Sequence, residues 1–570
     1  MNWQENVETW QNNQQLDPVV KNELSMIKSD DELKERFSSY PSFGTGGIRA
    51  KLGIGTSRLN YYTVARATYG LANYILQNNN TANGVVISYD TRHFSRDFAV
   101  ISANTLVSKG IKVFLCNHVT PTPELSFLVR NFSASQGIMI TASHNPAIYN
   151  GYKVYDSDGG QITLDTANKI SDEINKCKDY LDLSINTELV DSDLVTILDE
   201  DVDNLYLGHL QQVTRDSSMV QKHGGELKIV YTPLHGTGLK LVTKGLASAG
   251  FSDVNVVPQQ AIPDPDFSTV KFPNPEFPSA FDLAIKLGTK ENADILIATD
   301  PDADRLGVAV RDDKGNYQLL SGNQLGALMI DYLGSHLSSD DRNRYQVVKT
   351  IVTSDLGATI AERYHCDVRE TLTGFKFIGE QIEKIEEAHD DTKYLFGYEE
   401  SYGYLISPFV RDKDSVQAAL LTAEIALSLK IRNQSLLTQL DNLYNDFGFY
   451  QEKLITKTFN NKSESDELIG KISELRDDYP RTIGGIAVKE VQDFEKSKAL
   501  NFDSNSESRL KLPKSNVIKI ILEDGSWMAI RPSGTEPKIK VYLSSVSNSR
   551  QNSEKKLKVL ENYTNSLLVL

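Results

Sequence analysis

The stretch GIMITASHNP, Gly137 to Pro146, decides how this chain is read. An apolar run, Ile138-Met-Ile140, passes directly into a serine, a histidine, an asparagine and a proline. Such a run closed by turn formers predicts a buried strand ending in a functional loop. Ser143 is not in a serine-hydrolase elbow, which requires small residues two places on either side; those places hold Thr141 and Asn145. The local pattern predicts a helix start, with Ser143 or Asn145 as cap and Pro146 at the first helical position. A serine there could carry phosphate, because the free N–H groups and dipole of a helix start favour an anion.

The same plan recurs along the chain. Val85-Val-Ile87 leads into SYDTRHFS, Lys228-Ile-Val-Tyr231 into TPLHGTG, Ile295-Leu-Ile297 into ATDPDADR, and Val347-Val348 into KTIVTSDLG. Buried strands, loops and amphipathic helices in alternation predict an α/β protein. The likeness of GIMITASHNP, KIVYTPLHGTG and VVKTIVTSDLG predicts one unit used three times, at spacings of about 95 and 120 residues. Near the C-terminus, Val517–Leu522 and Met528–Ile530 flank Gly525 like a hairpin, so this part reads as α+β. The segments 457–467 and 502–508 read as surface loops, and the carboxylate-rich stretch Asp191 to Asp203 as the end of a first domain.

At 570 residues the chain has room for about three to five domains. Its formal net charge of −16 repels nucleic acid and anionic membranes, so neither is an expected partner. A cleft that gathers basic groups could still bind an anion. Cys116, Cys177 and Cys366 form no CxxC pair, which argues against a disulfide framework or zinc site and favours a reducing cytoplasm. The polar N-terminal stretch lacks the apolar core of a signal peptide, and no apolar run approaches the ~18 residues of a membrane span.

Asp300-Pro-Asp-Ala-Asp-Arg305 is the sharpest chemical signal. Carboxylates at i, i+2 and i+4 point to one side of an extended or looped backbone and repel unless a cation joins them. An all-oxygen set suits Mg²⁺. An EF-hand would need Gly and Glu where Arg305 and Arg311 stand. Arg531-Pro-Ser-Gly-Thr-Glu-Pro537 offers a guanidinium fork, two hydroxyls and the N–H groups of a turn, the parts of a phosphate cradle. Gly397-Tyr-Glu-Glu-Ser-Tyr-Gly403 sets acceptors for sugar hydroxyls among aromatics and glycines. Phe43-Gly-Thr-Gly-Gly-Ile-Arg49 lacks the spacing of a nucleotide loop, and Arg49 is its informative residue.

With these motifs in this order, the sequence resembles the α-D-phosphohexomutase superfamily, most of all its long phosphoglucomutase and phosphopentomutase-like members. The resemblance implies an α/β fold with four domains around a central cleft: three similar α/β domains with mixed sheets and a smaller C-terminal α+β domain. The expected bounds are 1–205, 206–320, 321–445 and 446–570. Ser143 is implied as the phosphoserine, and Asp300, Asp302, Asp304 and a phosphoserine oxygen as Mg²⁺ ligands. Arg49 and Arg305 are implied to stabilise the transferring group, and His144, Lys153 and Lys413 are the candidate bases. A lysine base needs a depressed pKa, which neighbouring cations in a dry cleft could supply. Glu399 and Ser401, flanked by Thr373 and Gly374, are implied to hold the sugar, and Arg531, Ser533, Gly534 and Thr535 the phosphate that does not react.

The implied activity is interconversion of glucose 1-phosphate and glucose 6-phosphate through a sugar 1,6-bisphosphate, which also serves as activator. Partners are then sugar phosphates, and the expected state is a cytoplasmic monomer or homodimer. Phosphopentomutase and phosphomannomutase are the near alternatives. A phosphatase with Asp300 as nucleophile and a non-catalytic sugar-phosphate binder are more remote. Ser415 in DKDSV and Ala50 in GIRA replace glycines of the family pattern and bear on the choice of sugar.

Overall fold

The computed structural model describes residues 2–41, 43–44, 46–78, 81–338, 343–459, 462–532 and 538–568. The chain forms two compact units: Met1–Leu325 with Ile378–Ser435, and Gly326–Phe377 with Leu436–Leu570.

In the first unit, a six-stranded mixed sheet runs in the order Gly47–Lys51, Tyr149–Asp156, Gln136–Ile140, Val85–Tyr89, Val113–Cys116, Val195–Leu198. The last four are mutually parallel, and the first two join antiparallel. Strands Val85–Tyr89 and Gln136–Ile140 are buried throughout, as continuous apolar runs between helical layers require. The second sheet has the order Tyr317–Leu319, Leu306–Arg311, Ile295–Thr299, Ile229–Thr232, Val254–Val256. It is again parallel on one side and antiparallel on the other. A hairpin, Lys393–Glu399 with Gly403–Leu405, completes the strands of this unit. Its helix Ser415–Ile431 is buried along nearly its whole length, which explains why apolar residues lie on all its faces.

The second unit contains the parallel pair Tyr345–Thr350 and Asp367–Thr371. It also contains an antiparallel sheet built on the order Phe449–Thr458, Lys538–Ser547, Trp527–Pro532, Ile518–Leu522, Ile486–Asp493. The C-terminal hairpin read from the sequence is present as Ile518–Leu522 against Trp527–Pro532. The two mixed α/β sheets, the hairpin, the parallel pair and the C-terminal antiparallel sheet agree with the expected fold class.

Four local expectations are corrected. Residues 462–467 open the helix Lys462–Asp477, whose anchors Leu468, Ile472 and Leu475 all lie beyond the polar window. Ser506–Arg509 is a strand paired with Lys498–Asn501; it is exposed on every residue, so no apolar alternation marks it. No helix comes after GIMITASHNP. The chain turns back and returns as the antiparallel strand Tyr149–Asp156. The threefold unit is therefore aligned differently from its sequence likeness: TPLHGTG and KTIVTSDLG lead into the helices Leu239–Ala249 and Leu356–Arg363, as SYDTRHFS leads into Ser95–Val107.

Three helices, Trp3–Asn12, Pro18–Met26 and Asp30–Phe37, precede the first sheet and pack through a cluster around Trp10. Trp10 meets Phe37 and Tyr62 edge-on, each at 5.6 Å, and its Nε1–H donates to Tyr180 Oη at 2.8 Å. Truncating this fully buried indole leaves a cavity and removes one of the hydrogen bonds to the Tyr180 hydroxyl. Trp10→Ala should therefore cost about 3–5 kcal/mol, seen as a lower urea midpoint for the first unit; an unchanged midpoint would show that these helices are a dispensable appendage.

Candidate active site

The serine loop joins Gln136–Ile140 to Tyr149–Asp156. Ser143 is 2% exposed and has φ +50°, in the left-handed region. A non-glycine residue stays there only when its surroundings fix it. Its N–H donates to Thr141 Oγ1 at 2.8 Å, and Thr141 Oγ1 donates to Asp90 Oδ2 at 2.6 Å. Its hydroxyl donates to Asp300 Oδ2 at 2.6 Å and lies 3.2 Å from His144 Nδ1. The expected helix cap is absent, because no helix starts at this loop. Ser143 faces a carboxylate instead.

Asp300, Asp302 and Asp304 sit in the loop between Ile295–Thr299 and its antiparallel partner Leu306–Arg311. All three are buried, with one oxygen of each within 4.8 Å of the others. Asp300 Oδ1 accepts from the backbone N–H groups of Asp304 and Arg305, at 3.1 and 2.9 Å. Thr122 donates its hydroxyl to Asp302 Oδ2 at 2.8 Å and its N–H to the Asp302 carbonyl at 2.9 Å. Oδ1 of Asp302 and Oδ1 of Asp304 are buried and accept no hydrogen bond. Three convergent hard oxygens, two of the carboxylates with an unsatisfied atom, fit a small divalent cation.

Two neighbouring segments shape this loop. Ser415 Oγ donates to the Ala303 carbonyl at 2.6 Å, next to the left-handed turn at Ala303 (φ +54°). The TPLHGTG loop closes from another side: Thr237 N–H donates to the Pro301 carbonyl at 2.8 Å, and a Cβ on Gly236 would lie 2.4 Å from Pro301 Cα. Only glycine allows that approach.

Cations surround the acids. Lys153 Nζ lies 2.8 Å from Asp302 Oδ2 and 3.4 Å from Asp304 Oδ2, and Lys413 Nζ lies 3.2 Å from Asp304 Oδ2 and 3.1 Å from Asp412 Oδ1. Arg305 pairs with Glu276, and Arg49 Nη1 donates to Asn145 Oδ1 at 3.1 Å. Burial, reinforced by Asp304 and Asp302, pushes Asp300 well above the usual carboxylate range. Burial also opposes ionisation of Asp302, but Lys153 outweighs it and holds that carboxyl low. Burial and the guanidinium groups of Arg305 and Arg49 hold His144 well below the ordinary imidazole value, and so neutral. The depressed lysine expected from the sequence is not found. Burial would lower Lys153 and Lys413, but the carboxylates facing them prevail and raise both.

Four family descriptions match the chain in order. They are the α/β/α domains I, II and III of phosphoglucomutase/phosphomannomutase over residues 41–181, 204–315 and 321–447, and the C-terminal domain over 485–556. The chain belongs to the phosphoglucomutase/phosphomannomutase family. It is 40% identical over 518 residues to the phosphoglucomutase of Staphylococcus aureus strain MSSA476, covering 91% of this chain and 92% of that one. Its fold is similar to that of the Paramecium phosphoglucomutase parafusin in its open form (TM-score 0.70, 16% identity, 93% and 95% of the two chains). It is also similar to that of a family protein from Burkholderia thailandensis (TM-score 0.65, 16% identity, 92% and 97%).

The remaining expected residues of this family member divide between the units. Glu399 ends its strand, buried, with Ser401 in the turn beyond it, and its carboxylate helps raise Lys413 and Arg305. Gly403 gives Lys413 its path: a Cβ there would lie 2.2 Å from Lys413 Cδ. Thr373, Gly374 (φ +123°) and Arg531, the last in the strand Trp527–Pro532, belong to the second unit. Ser533, Gly534 and Thr535 lie outside the described residues. Sequence reasoning missed Thr122, Glu276 and Asp412. Asp412 accepts from Tyr155 Oη at 2.9 Å and Gln161 Nε2 at 3.1 Å, and so orients the residue before Lys413. Only the acid beside the lysine in RDKDS hinted at it.

Asp302→Asn removes one charge from the acidic cluster while keeping the shape of the loop. Calorimetric titration with Mg²⁺ should show affinity reduced by about tenfold or more, with the thermal transition little changed. Equal affinity in parent and variant would mean that the three acids are not a cation site.

Proposed function

We propose that the protein is a phosphoglucomutase that interconverts glucose 1-phosphate and glucose 6-phosphate through phospho-Ser143 and glucose 1,6-bisphosphate. The observation that carries this reading is the hydrogen bond from Ser143 Oγ to Asp300 Oδ2, which sets a nucleophilic hydroxyl against a buried all-oxygen cluster. The named relatives at 40% identity support glucose as the sugar.

Asp300, Asp302 and Asp304 would hold Mg²⁺, which when bound supplies positive charge against the transferring phosphoryl group. Phospho-Ser143 gives its phosphoryl group to the free hydroxyl of the sugar monophosphate. The new bond is sugar oxygen to phosphorus, the broken one is Ser143 Oγ to phosphorus, and the hydroxyl proton passes to a base. The bisphosphate then turns over and returns its other phosphate to Ser143. Arg49 and Arg305 bear on the charge that develops. His144 is held neutral, and Lys153 and Lys413 are the other candidate bases. Lys413 opposes the charge on Lys153, but here the facing carboxylates prevail and raise both lysines.

Glu399 and Ser401, with Thr373 and Gly374, would bind the sugar hydroxyls. Arg531, Ser533, Gly534 and Thr535 would hold the other phosphate. The domain bounds 1–205, 206–320, 321–445 and 446–570 belong to the same reading, as do bisphosphate activation and a monomeric or homodimeric state. Among the described residues no helix is long and apolar enough to cross a membrane. The three cysteines are buried and unpaired, in keeping with a cytoplasmic site of action.

Assays with glucose 1-phosphate, mannose 1-phosphate and ribose 1-phosphate, each primed with its bisphosphate, test the reading. The highest kcat/KM is expected for glucose 1-phosphate, without net release of phosphate. Ser143→Ala should lower turnover by about 10⁴-fold or more and abolish the phosphoprotein mass. Faster turnover of ribose 1-phosphate would replace this reading with a pentomutase, and stoichiometric phosphate release would replace it with a phosphatase.

A further inference from the structure

We propose that Arg92 is a positioning residue for Ser143: its guanidinium fixes the backbone that presents the serine hydroxyl to the acids. The proposal rests on the mutase reading for its kinetic consequence, but the geometry stands without it. Arg92 lies in SYDTRHFS, after the strand Val85–Tyr89, and its side chain is completely buried. Nη1 donates to the carbonyls of Pro146 and Tyr149 at 2.9 and 3.0 Å. Nη2 donates to the carbonyls of Ser143 and Asn145. Nε lies 3.2 Å from Asp90 Oδ2.

A guanidinium has five N–H bonds in a rigid plane; here the four on Nη1 and Nη2 meet four carbonyls of one loop, while Nε is ion-paired with Asp90 but donates no hydrogen bond. Between Thr141 and Tyr149 the loop has few hydrogen bonds of its own, Asn145 N–H to Ala142 O at 3.1 Å and Tyr149 N–H to Pro146 O at 3.0 Å among them. The left-handed turn at Ser143 must therefore be fixed from outside.

Asp90 makes the clamp two-armed. One oxygen faces Arg92 and accepts from Thr141 Oγ1, the hydroxyl that in turn accepts the Ser143 N–H. The other accepts from Arg92 N–H at 2.9 Å and Ser95 Oγ at 2.7 Å. The N–H and the carbonyl of Ser143 are thus both tied to the Asp90–Arg92 pair. Phe267, from the segment beyond the Val254–Val256 strand, lies under the guanidinium with its ring centre 4.8 Å from Cζ. The Arg92 guanidinium hydrogen-bonds the loop and not the acids, and its charge, which also acts on Asp300, Asp302 and His144, is kept in Arg92→Lys; loss of the fork should therefore disturb the chemical step more than the binding of sugar phosphate.

Arg92→Lys keeps the charge beside Asp90 but has three donors at one point, and cannot span four carbonyls. In the full-length protein, kcat should fall about 100-fold with KM little changed, as a misplaced nucleophile requires. Hydrogen–deuterium exchange should accelerate in peptides covering 141–149 and remain at parent rates in the second sheet. Added guanidinium should partly restore activity to Arg92→Gly. A parent-like kcat, or parent-like exchange in 141–149, would overturn the proposal. If exchange rises throughout the first unit, Thr141→Val replaces Arg92→Lys; it leaves the buried ion pair intact and must show the same local exchange and the same kcat loss, or the proposal fails. A parent protein that does not isomerise glucose phosphates would refute the mutase reading alone, because the exchange measurement involves no substrate.

Discussion

Three carboxylates within 4.8 Å of one another, all buried, are the constraint on which the first unit depends. Like charges at that separation out of water repel strongly, and each loses its hydration. The surrounding residues answer this in several ways. Lys153 and Lys413 supply countercharge, backbone N–H groups and Thr122 supply hydrogen bonds, and Ser415 and the TPLHGTG loop fix the path of the chain. The answer is incomplete, since two oxygens accept nothing. That remainder of unsatisfied negative charge suits the cluster to a cation better than to a closed ion-pair network.

The topology explains how these groups meet. In each of the first two sheets a buried parallel strand turns back into an antiparallel one: Gln136–Ile140 into Tyr149–Asp156, and Ile295–Thr299 into Leu306–Arg311. Lys393–Glu399 likewise turns back into the antiparallel strand Gly403–Leu405. The three turns carry Ser143, the three aspartates, and Glu399 with Ser401. Each comes at the C-terminal end of a buried strand, where α/β sheets expose loop backbone to ligands. One repeated fold element thus presents the candidate nucleophile, the acidic cluster and the candidate sugar loop. The helix-bearing loops SYDTRHFS and TPLHGTG support the first two from behind.

In the second unit, a buried network has a structural role. Lys349 Nζ lies 2.8 Å from Asp355 Oδ1 and 2.9 Å from Glu370 Oε1, while Trp527 Nε1 donates to Asp355 Oδ2 at 3.0 Å. Burial alone would raise Asp355, but Lys349 and Lys519 hold it down, to about 2. The parallel pair Tyr345–Thr350 and Asp367–Thr371 is thereby tied to the strand Trp527–Pro532, beside an apolar cluster that includes Ile351, Leu372 and Trp527.

By itself the sequence determined the layered α/β plan, the C-terminal hairpin and the chemistry of DPDADR, because apolar runs and alternating carboxylates act through spacing along the chain. It did not determine the path of the chain beyond GIMITASHNP. Asn145 and Pro146 suit a helix start and a tight turn equally, and the choice was made by Tyr149–Asp156 pairing back onto the sheet. For the same reason the threefold unit was matched at the wrong strands. The helix Lys462–Asp477 stayed hidden because its buried residues begin after its polar first turns. The ionisation states were decided only by the tertiary structure. Nothing in NGYK or RDKDS shows that carboxylates from the Asp300 loop face both lysines, 149 positions away for Lys153 and Asp302, and the sign of a pKa shift depends on those distant charges and on burial.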